Sequence, residues 1–396
     1  MKELSRIASA VHASTTLAVD ALAKQMKADG HDVIGFGAGE PDFDTPDHIK
    51  EAGITAIRNG ETKYTPAAGL VPLRQAISNK LKKDYDLNYD SSQIVIASGA
   101  KHSVFISLVS LLDPGDEVIL PAPFWVSYYE MVLMAGGVPV IVTGLESNNF
   151  KITPEQFEAA VTSKTKAFII NNPSNPTGML YSRAELEGLM AVCTQHDLYI
   201  ISDEIYDGLV YDGKEFVSIP TLSEEIKERT ILINGASKSY AMTGWRIGYT
   251  ASNKQLATVM GNYLSHSTGA PGTMNQIAAI EAFSGPQETV TAMRDVFCER
   301  RDYIVERMNQ IEGVSCLKPD GAFYIMMNIE KLIGRTLGGR LINNDDDFAL
   351  AFLDKGLVAV VPCSGFGAPN FVRWTYAASM ANIKAGLDRL EEFLKG

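Results

Sequence analysis

Residues 234–249, NGASKSYAMTGWRIGY, join two apolar runs and carry a lysine and an arginine eight positions apart. Lys238 lies among small residues, which leave room for a bulky ligand beside its amine. A desolvated lysine loses its proton more readily than an exposed one, and lysine is the side chain that condenses with carbonyl groups. Arg246 offers a planar set of donors suited to a phosphate. An amine for a Schiff base beside a phosphate clamp is what pyridoxal phosphate requires.

Outward from this stretch, short β-branched runs alternate with helical stretches through the middle of the chain. The runs are apolar throughout, as in strands that are covered on both faces. The alternation predicts an α/β fold with a mostly parallel sheet and helices on both faces. The predicted strands are residues 94–97, 117–120, 139–142, 167–171, 199–202, 230–234 and 247–251, and predicted helices between them include 101–112, 125–135 and 183–196.

Candidate functional residues follow several of these strands directly. Gly99, Asn175, Asp203 and Lys238 each come after a different predicted strand. Ligands of such sheets bind at the carboxyl ends of the strands. We therefore expect these four residues to meet at one edge of the sheet. An isolated lysine in a loop is more often solvated. The assignment of Lys238 to a ligand site therefore depends on the agreement between these four segments.

Residues 202–206, SDEIY, follow one of the apolar runs. A carboxylate at Asp203 would pair with the protonated ring nitrogen of pyridoxal phosphate and hold the ring as an electron sink. Tyr206 would bind the ring hydroxyl. The alternative is a plain helix start, since serine and aspartate cap helices well, and these residues alone favour neither reading.

Two further segments have the composition of phosphate or cofactor loops. Residues 171–178, NNPSNPTG, form a dense turn in which either Xaa-Pro bond is a candidate for the cis isomer, which would aim the Asn175 amide in one direction. Residues 98–101, SGAK, end a strand and open a helix, where backbone N–H groups can approach a phosphate. The same four residues match the S-x-x-K motif of serine β-lactamases, but the companion motifs S-D-N and K-T-G do not occur.

Three isolated side chains complete the candidate set. Trp125, at the start of a predicted helix, would stack on an aromatic ring, although a lone aromatic is more often a core residue. Tyr64 heads a loop that reads as exposed. Arg373 is a charge inside a predicted apolar strand, where a buried arginine needs an anion, either a structural carboxylate or that of a substrate.

Length and composition are those of a globular protein with two domains: 396 residues, 46% of them hydrophobic. The net charge of −12 and the lack of a basic run argue against a nucleic-acid partner.

The four cysteines lie far apart without a CxxC pair, which predicts reduced thiols and neither a disulfide framework nor a metal site. No segment reaches the roughly 20 apolar residues of a membrane span, and the N-terminus lacks an apolar leader, so we expect a cytoplasmic protein without a membrane partner.

We predict four parts along the chain. Residues 1–45 are an N-terminal segment that belongs to the smaller domain, and 46–285 are the large cofactor-binding domain. Residues 286–313 are a connecting helix. Residues 314–396 are the small C-terminal domain, with short strands at 322–327, 358–361 and 371–376. The acidic run at 345–347 is expected to be a solvated helix start.

With these residues assembled, the chain resembles the class I (fold type I) pyridoxal-phosphate aminotransferases. It is most similar to the bacterial aspartate aminotransferase subgroup, some members of which also use prephenate. The resemblance covers nearly the full length, and its motifs occur in the family's order: AGEPDFDTP, KYTPAAG, SGAK, PFWVSY, NNPSNPTG, SDEIY, the 234–249 stretch, DGAFY and VRWTYA. It implies a seven-stranded, mostly parallel sheet and a smaller α+β domain built from both chain ends.

The resemblance also implies a role for each candidate. Lys238 would be the catalytic, Schiff-base lysine. The other cofactor-binding residues would be Gly99, Ala100, Trp125, Asn175, Asp203, Tyr206, Ser237 and Arg246, with Tyr64 contributed by the other subunit of a homodimer with shared active sites. Arg373 would bind the substrate α-carboxylate, together with Gly39, Trp125 and Asn175. Lys101, with Ser14 and Thr16 of the N-terminal segment, would read a distal carboxylate.

The implied reaction moves an amino group from L-aspartate, or a related acidic amino acid, to 2-oxoglutarate by a ping-pong mechanism. The same cofactor residues would also serve an aminotransferase for aromatic, alanine-type, prephenate or arogenate substrates, or a β-lyase. A ligand-sensing domain of a transcription regulator is disfavoured, because the family motifs begin by residue 38 and leave too few residues ahead of them for a DNA-binding domain. A serine hydrolase built on Ser98 and Lys101 is disfavoured by the missing companion motifs.

Overall fold

The computed structural model describes residues 2–12 and 15–395, without the side chains of residues 15–18 and 20. Ser14 therefore lies outside the described residues, as does the side chain of Thr16. Within the described part of the chain, every helix is too short or too polar to cross a membrane.

The described residues form a large sheet flanked by helices, together with several small sheets. The strands, β1 to β15 in chain order, are Ile34–Gly35, Ile94–Ser98, Glu117–Ala122, Val138–Thr143, Thr165–Asn171, Tyr199–Asp203, Thr230–Gly235, Ile247–Ala251, Ser315–Cys316, Tyr324–Asn328, Thr336–Leu337, Arg340–Leu341, Val358–Ala359, Val361–Pro362 and Phe371–Thr375. The α-helices, α1 to α14, are Arg6–Ser9, Thr15–Ala28, Asp47–Arg58, Val71–Tyr85, Gly99–Leu111, Ser127–Met134, Pro154–Ala160, Arg183–Gln195, Glu224–Arg229, Lys254–His266, Thr273–Ser284, Glu288–Met308, Asp345–Gly356 and Met380–Lys395.

Strands β2 to β8 form a seven-stranded sheet with the order β2-β8-β7-β6-β5-β3-β4. Strands β3 to β7 run parallel, while β8 is antiparallel to both of its neighbours. The predicted α/β fold with a mostly parallel sheet is confirmed, and no predicted strand end differs from the observed one by more than two residues. Strand β8 runs back because only residues 236–246 connect it to β7, too few for the helical crossover that a parallel neighbour needs.

The central strands are covered on both faces, as their unbroken apolar runs predicted. Every residue of β7 and β8 is buried, and separate apolar clusters pack on the two sides of the sheet. Helix α8 shows how local sequence fixes the flanking helices. The Ser182 side chain accepts from the Glu185 backbone N–H, and the Glu185 side chain accepts in return from the Ser182 N–H, so the helix begins at Arg183.

A second sheet is built from the C-terminal part of the chain, with the antiparallel order β14-β15-β10-β9. The chain's start joins this part, because β1 pairs with β13. Phe36, just after β1, packs on Trp374 with 4.6 Å between ring centroids. Gly386 of α14 makes room for that ring, since a Cβ there would lie 2.4 Å from Phe36. The domain limits at residues 45, 285 and 313 stay a prediction.

The expectation for the acidic run at 345–347 is wrong for its first residue. These residues do begin a helix, α13, but Asp345 is fully buried while Asp346 is exposed. Oδ2 of Asp345 accepts from the backbone N–H of Ser364 at 2.6 Å, and Oδ1 accepts from the Ser364 hydroxyl. The carboxylate can be buried because the loop at Ser364, rather than water, provides its hydrogen-bond donors.

The prediction that Trp125 starts a helix is also wrong. Trp125 precedes α6 instead of lying in its first turn.

Candidate active site

A cavity of about 460 Å³ opens at the carboxyl ends of β5, β6 and β7. It gathers residues that are far apart in sequence, as expected for the edge of a parallel sheet. Among the predicted site residues, those that line it are Gly39, Ala100, Lys101, Trp125, Asn175, Asp203, Tyr206, Ser237, Lys238, Arg246 and Arg373.

Among the predicted site residues whose side chains are described, two do not line this cavity. Gly99 lies beside it with φ +79°, and a Cβ at this position would sit 2.3 Å from Nη2 of Arg246. A glycine is therefore required for the close approach of the guanidinium to the start of α5. Tyr64 lies between α3 and α4, and its side chain is fully exposed.

Lys238 lies in the connection between β7 and β8, and its Nζ donates to the backbone carbonyl of Gly39. Its pKa is lowered from 10.5 to about 8, chiefly by burial and then by the charge of Arg373, whereas Glu40 and Asp203 act in the opposite direction. With this pKa, roughly a tenth of the amine is unprotonated at pH 7, far more than for an exposed lysine, and the neutral amine is what a nucleophile or base requires.

Asp203 is the last residue of β6, and only 3% of it is exposed. Burial raises its pKa from 3.8 to about 6, because a charge is costly away from water. Two donors favour the carboxylate form: the Tyr128 hydroxyl, 2.6 Å from Oδ2, and the Ile205 backbone N–H, 3.3 Å from Oδ1. At neutral pH the site thus contains a buried negative charge.

Arg373, in β15, is buried and held by neutral partners. Its Nη1 donates to Oδ1 of Asn175 at 2.9 Å, and its Nη2 donates to the Gly37 carbonyl at 2.8 Å. Its Nε has no partner, and among the described residues no carboxylate lies within ion-pair distance of it. Asn175 is itself aimed by Asn171, whose Oδ1 accepts from the Asn175 backbone N–H at 2.7 Å, and the Asn172-Pro173 and Asn175-Pro176 bonds are both cis.

Arg246 supplies a second cation, at the end of the connection that carries Lys238. Its backbone is left-handed, with φ 57°, and its guanidinium donates to the carbonyls of Thr243 at 2.9 Å and Ser98 at 3.1 Å. Those contacts place it at the N-terminus of α5, whose first N–H groups also favour an anion. Ala100 and Ser237 line the cavity beside it.

Comparison with known proteins identifies the family of this chain. The family model described as aminotransferase class I and II matches residues 31–390. The chain belongs to that family. It is 50% identical to the aspartate aminotransferase of Geobacillus stearothermophilus, with 100% of this chain and 99% of the relative covered. It is 46% identical to the aspartate/prephenate aminotransferase of Cereibacter sphaeroides, with both chains fully covered. Among solved structures, the aspartate aminotransferase of Rhizobium meliloti superposes with a TM-score of 0.96 at 40% identity, covering 100% of this chain and 99% of that one.

Sequence reasoning missed two tyrosines in this aminotransferase. Tyr128 binds Asp203, and Tyr324 binds Tyr206 with 2.9 Å between the hydroxyl oxygens. The Tyr324 ring also lies 4.4 Å from Cζ of Arg373, so it stacks on the guanidinium. Both tyrosines stand in motifs that carried the resemblance, PFWVSY and DGAFY, and that was the only signal for them.

Lys101 is the candidate for reading a distal carboxylate in this aminotransferase. Its Nζ lies 5.0 Å from the centroid of the Trp125 ring. Burial lowers its pKa, and the charge of Arg246 adds to that effect. Lys101 also lines a neighbouring, mainly apolar cavity of about 790 Å³. Its role toward a substrate stays a prediction.

Proposed function

We propose that this protein is a pyridoxal-phosphate-dependent aminotransferase that moves an amino group from L-aspartate, or a related acidic amino acid, to 2-oxoglutarate. The observation that carries the proposal is the convergence of Lys238, Asp203, Arg246 and Arg373 on one cavity, which provides an amine, a buried carboxylate and two separate anion-binding cations.

The residues present fit the proposed cofactor. Pyridoxal phosphate has an aldehyde, which the Lys238 amine would hold, and a pyridine nitrogen, which Asp203 would meet. Its phosphate would be held by Arg246, Ser237 and the first residues of α5, Gly99 and Ala100. The close approach of Arg246 to Gly99 supports this assignment, because it brings a cation to a helix N-terminus, and no side chain that the structure describes forms an ion pair with it. When bound, the cofactor acts as an electron sink for the bond-breaking step at the substrate's Cα.

The protein's own groups would then act as follows. The Lys238 amine, with its pKa lowered to about 8, would take the proton from the substrate's Cα and deliver it to the C4′ carbon of the cofactor. The Asp203 carboxylate holds a positive charge on the ring nitrogen. Asn175 accepts from Arg373 through Oδ1, which leaves its Nδ2 donor for the ring oxygen, together with the Tyr206 hydroxyl. Trp125 covers the ring.

Arg373 would orient the substrate through its α-carboxylate. Its guanidinium is buried between aromatic rings, and within the described part of the chain it has only neutral partners and an unpaired Nε. A buried cation in this state is stabilised when an anion binds. Of the two partners that the sequence left open for Arg373, the substrate carboxylate is therefore favoured.

Preference for an acidic donor rests on Lys101, which lies over Trp125 inside the cavity. A lysine is a flexible point charge and tolerates varied placement of a second carboxylate. The names of the relatives support aspartate first, with prephenate as the alternative. The contributions of Ser14 and Thr16 fall outside the described side chains and stay predictions.

We also propose a homodimer with shared sites and a cytoplasmic location. Tyr64 is fully exposed and does not line its own chain's cavity, as expected of a residue that serves a neighbouring subunit. The apolar cavity next to the site has exposed apolar residues at its rim, including Met134 and Ile141. All four cysteines are free thiols, which agrees with a reducing compartment.

The test is the absorption spectrum of the purified protein with pyridoxal phosphate, recorded before and after separate additions of L-aspartate, L-alanine and L-phenylalanine. We expect a band of the enzyme-bound cofactor that aspartate converts to the pyridoxamine form. Conversion by a neutral amino acid alone would keep the chemistry and reject the role of Lys101. If no bound-cofactor band forms, the proposed function is wrong.

A further inference from the structure

Asp345 lies at the start of α13, outside the cavity, and is fully buried. Both of its carboxylate oxygens accept from one residue: Oδ2 from the Ser364 backbone N–H at 2.6 Å, and Oδ1 from the Ser364 hydroxyl. The first turn of a helix favours a negative charge, so the carboxylate is stable in this position. An exposed serine is thereby fixed by a buried acid nineteen residues earlier in the chain.

The turn that Ser364 begins, Ser364–Phe366, reaches the candidate active site. The Phe366 ring lies 5.2 Å from Cζ of Arg373, while the Tyr324 ring lies 4.4 Å from the same atom. The arginine is therefore contacted by two aromatic rings. The carbonyl of Phe366 also accepts from the backbone N–H of Phe124 at 3.0 Å, one residue before Trp125. One turn thus contacts the residue proposed to bind the carboxylate and the segment proposed to cover the ring.

We propose that Asp345 is a positioning residue for substrate binding: it fixes the turn that holds Phe366 against the guanidinium of Arg373. The proposal rests on the function proposed above, in which Arg373 binds the substrate α-carboxylate. It assigns a role to a carboxylate that touches neither substrate nor cofactor.

The physical reason lies in the freedom of the arginine. Arg373 has two hydrogen bonds to neutral acceptors and no ion pair among the described residues, so ring contacts are a large part of what limits its motion. A guanidinium held in one place binds a carboxylate more tightly than a mobile one, because less conformational entropy is lost on binding. Loosening the turn removes one ring contact, and it leaves Lys238 and Asp203 untouched.

The variant that tests the proposal is Asp345→Asn. An amide places an oxygen at only one of the two carboxylate positions and carries no negative charge, so neither Ser364 donor keeps its charge-assisted bond. The matched control is Asp346→Asn, the same change one residue later, where the carboxylate is exposed. Ser364→Ala and Ser364→Thr form a second pair, since only the threonine keeps the hydroxyl. These two also cover the case in which Asp345→Asn fails to fold.

Two measurements on the holoenzyme separate positioning from general stability. The first is the dissociation constant for maleate, a dicarboxylate without an amino group, by titration calorimetry. The second is the steady-state KM and kcat with aspartate and with alanine. We expect Asp345→Asn to raise the maleate Kd and both KM values about fivefold, the worth of one lost cation–ring contact, with kcat within about twofold of wild type. Ser364→Ala should move in the same direction, and Ser364→Thr and Asp346→Asn should match wild type.

Unchanged Kd and KM in both folded variants, Asp345→Asn and Ser364→Ala, would overturn the proposal, as would a fall in kcat at constant KM. A lowered melting temperature with unchanged Kd would assign Asp345 a structural role only, and would likewise overturn it. Failure of the proposed function looks different, because the wild-type protein itself would then lack transamination.

Discussion

The hydroxyl of Tyr128 lies 2.6 Å from Oδ2 of Asp203, and it is the only side-chain donor to that carboxylate among the described residues. Burial raises the pKa of Asp203 to about 6, and the tyrosine opposes that rise. The charge state of Asp203 thus depends on the cost of burial, which favours the neutral acid, and on the Tyr128 and Ile205 donors and the charge of Lys238, which favour the carboxylate.

Replacing Tyr128 by phenylalanine should therefore shift the pH dependence of turnover. A donor to the charged form lowers a pKa, so its removal raises the Asp203 pKa above about 6. We expect the acid limb of the kcat–pH profile to move to higher pH. Tyr129→Phe is the control, because Tyr129 lines the neighbouring cavity instead. An acid limb that stays in place would show that Asp203 does not titrate in the working range.

Asp203→Asn should abolish turnover while stabilising the apoprotein at neutral pH. Because the folded pKa of about 6 lies above the ordinary 3.8, the native state holds the proton longer than the unfolded state. Wild-type stability accordingly falls as pH rises from about 4 through 6, and the asparagine variant avoids that loss. The expected gain above pH 7 is up to about 3 kcal/mol, fading below pH 4. Urea unfolding at pH 4 and pH 7.5 measures it, and an equal difference at both pH values would contradict the argument.

Lys238→Ala should lower transamination by at least about a thousandfold, since it removes both the group that holds the cofactor and the base. Lys331→Ala, an exposed lysine outside the cavity, is the control. Borohydride reduction of the holoenzyme followed by peptide mass analysis should locate the cofactor at residue 238. Label on a different lysine would reject the assignment.

Arg373→Ala should raise KM for every amino and oxo acid by about tenfold to a hundredfold, the worth of a charge-assisted hydrogen bond. The loss falls on binding because the α-carboxylate is common to all substrates. Steady-state kinetics with aspartate, alanine and 2-oxoglutarate measure it. An unchanged KM for any one of them would remove the proposed role.

Lys101→Ala should act selectively. The side chain is proposed to meet only the distal carboxylate, so kcat/KM for aspartate should fall up to about fivefold while that for alanine changes little. The ratio of the two values is the quantity to compare with wild type. An equal fall for both substrates would mean that Lys101 supports Trp125 rather than reading the substrate.

Much of this fold could be predicted because buried parallel strands have a strong local signature. The seven β-branched runs were found within two residues of their observed ends, since burial on both faces leaves no polar position to confuse the pattern. The return direction of β8 was not predicted individually. It follows from the short, irregular connection through Lys238, whose path depends on tertiary contacts.

The contacts inside the site were harder to predict. That Tyr128 binds Asp203 and that Tyr324 stacks on Arg373 depends on how four separate segments pack. No spacing along the chain encodes these distances. Asp345 shows the reverse difficulty: an acidic residue at a helix start is normally solvated, and only the Ser364 turn, packed over it, makes this one buried.

The first strand of the chain, β1, pairs with β13, a strand from the last third of the chain. Phe36 donates its N–H to the Ala359 carbonyl at 2.8 Å and accepts from the Thr375 N–H at 3.0 Å, and the next residue, Gly37, accepts from Arg373 at 2.8 Å. Two ends of the gene therefore encode one wall of one cavity. Recombination between related genes that exchanges one end without the other would join halves of this wall that were never selected together, and the fit around Arg373 is where such chimaeras should fail.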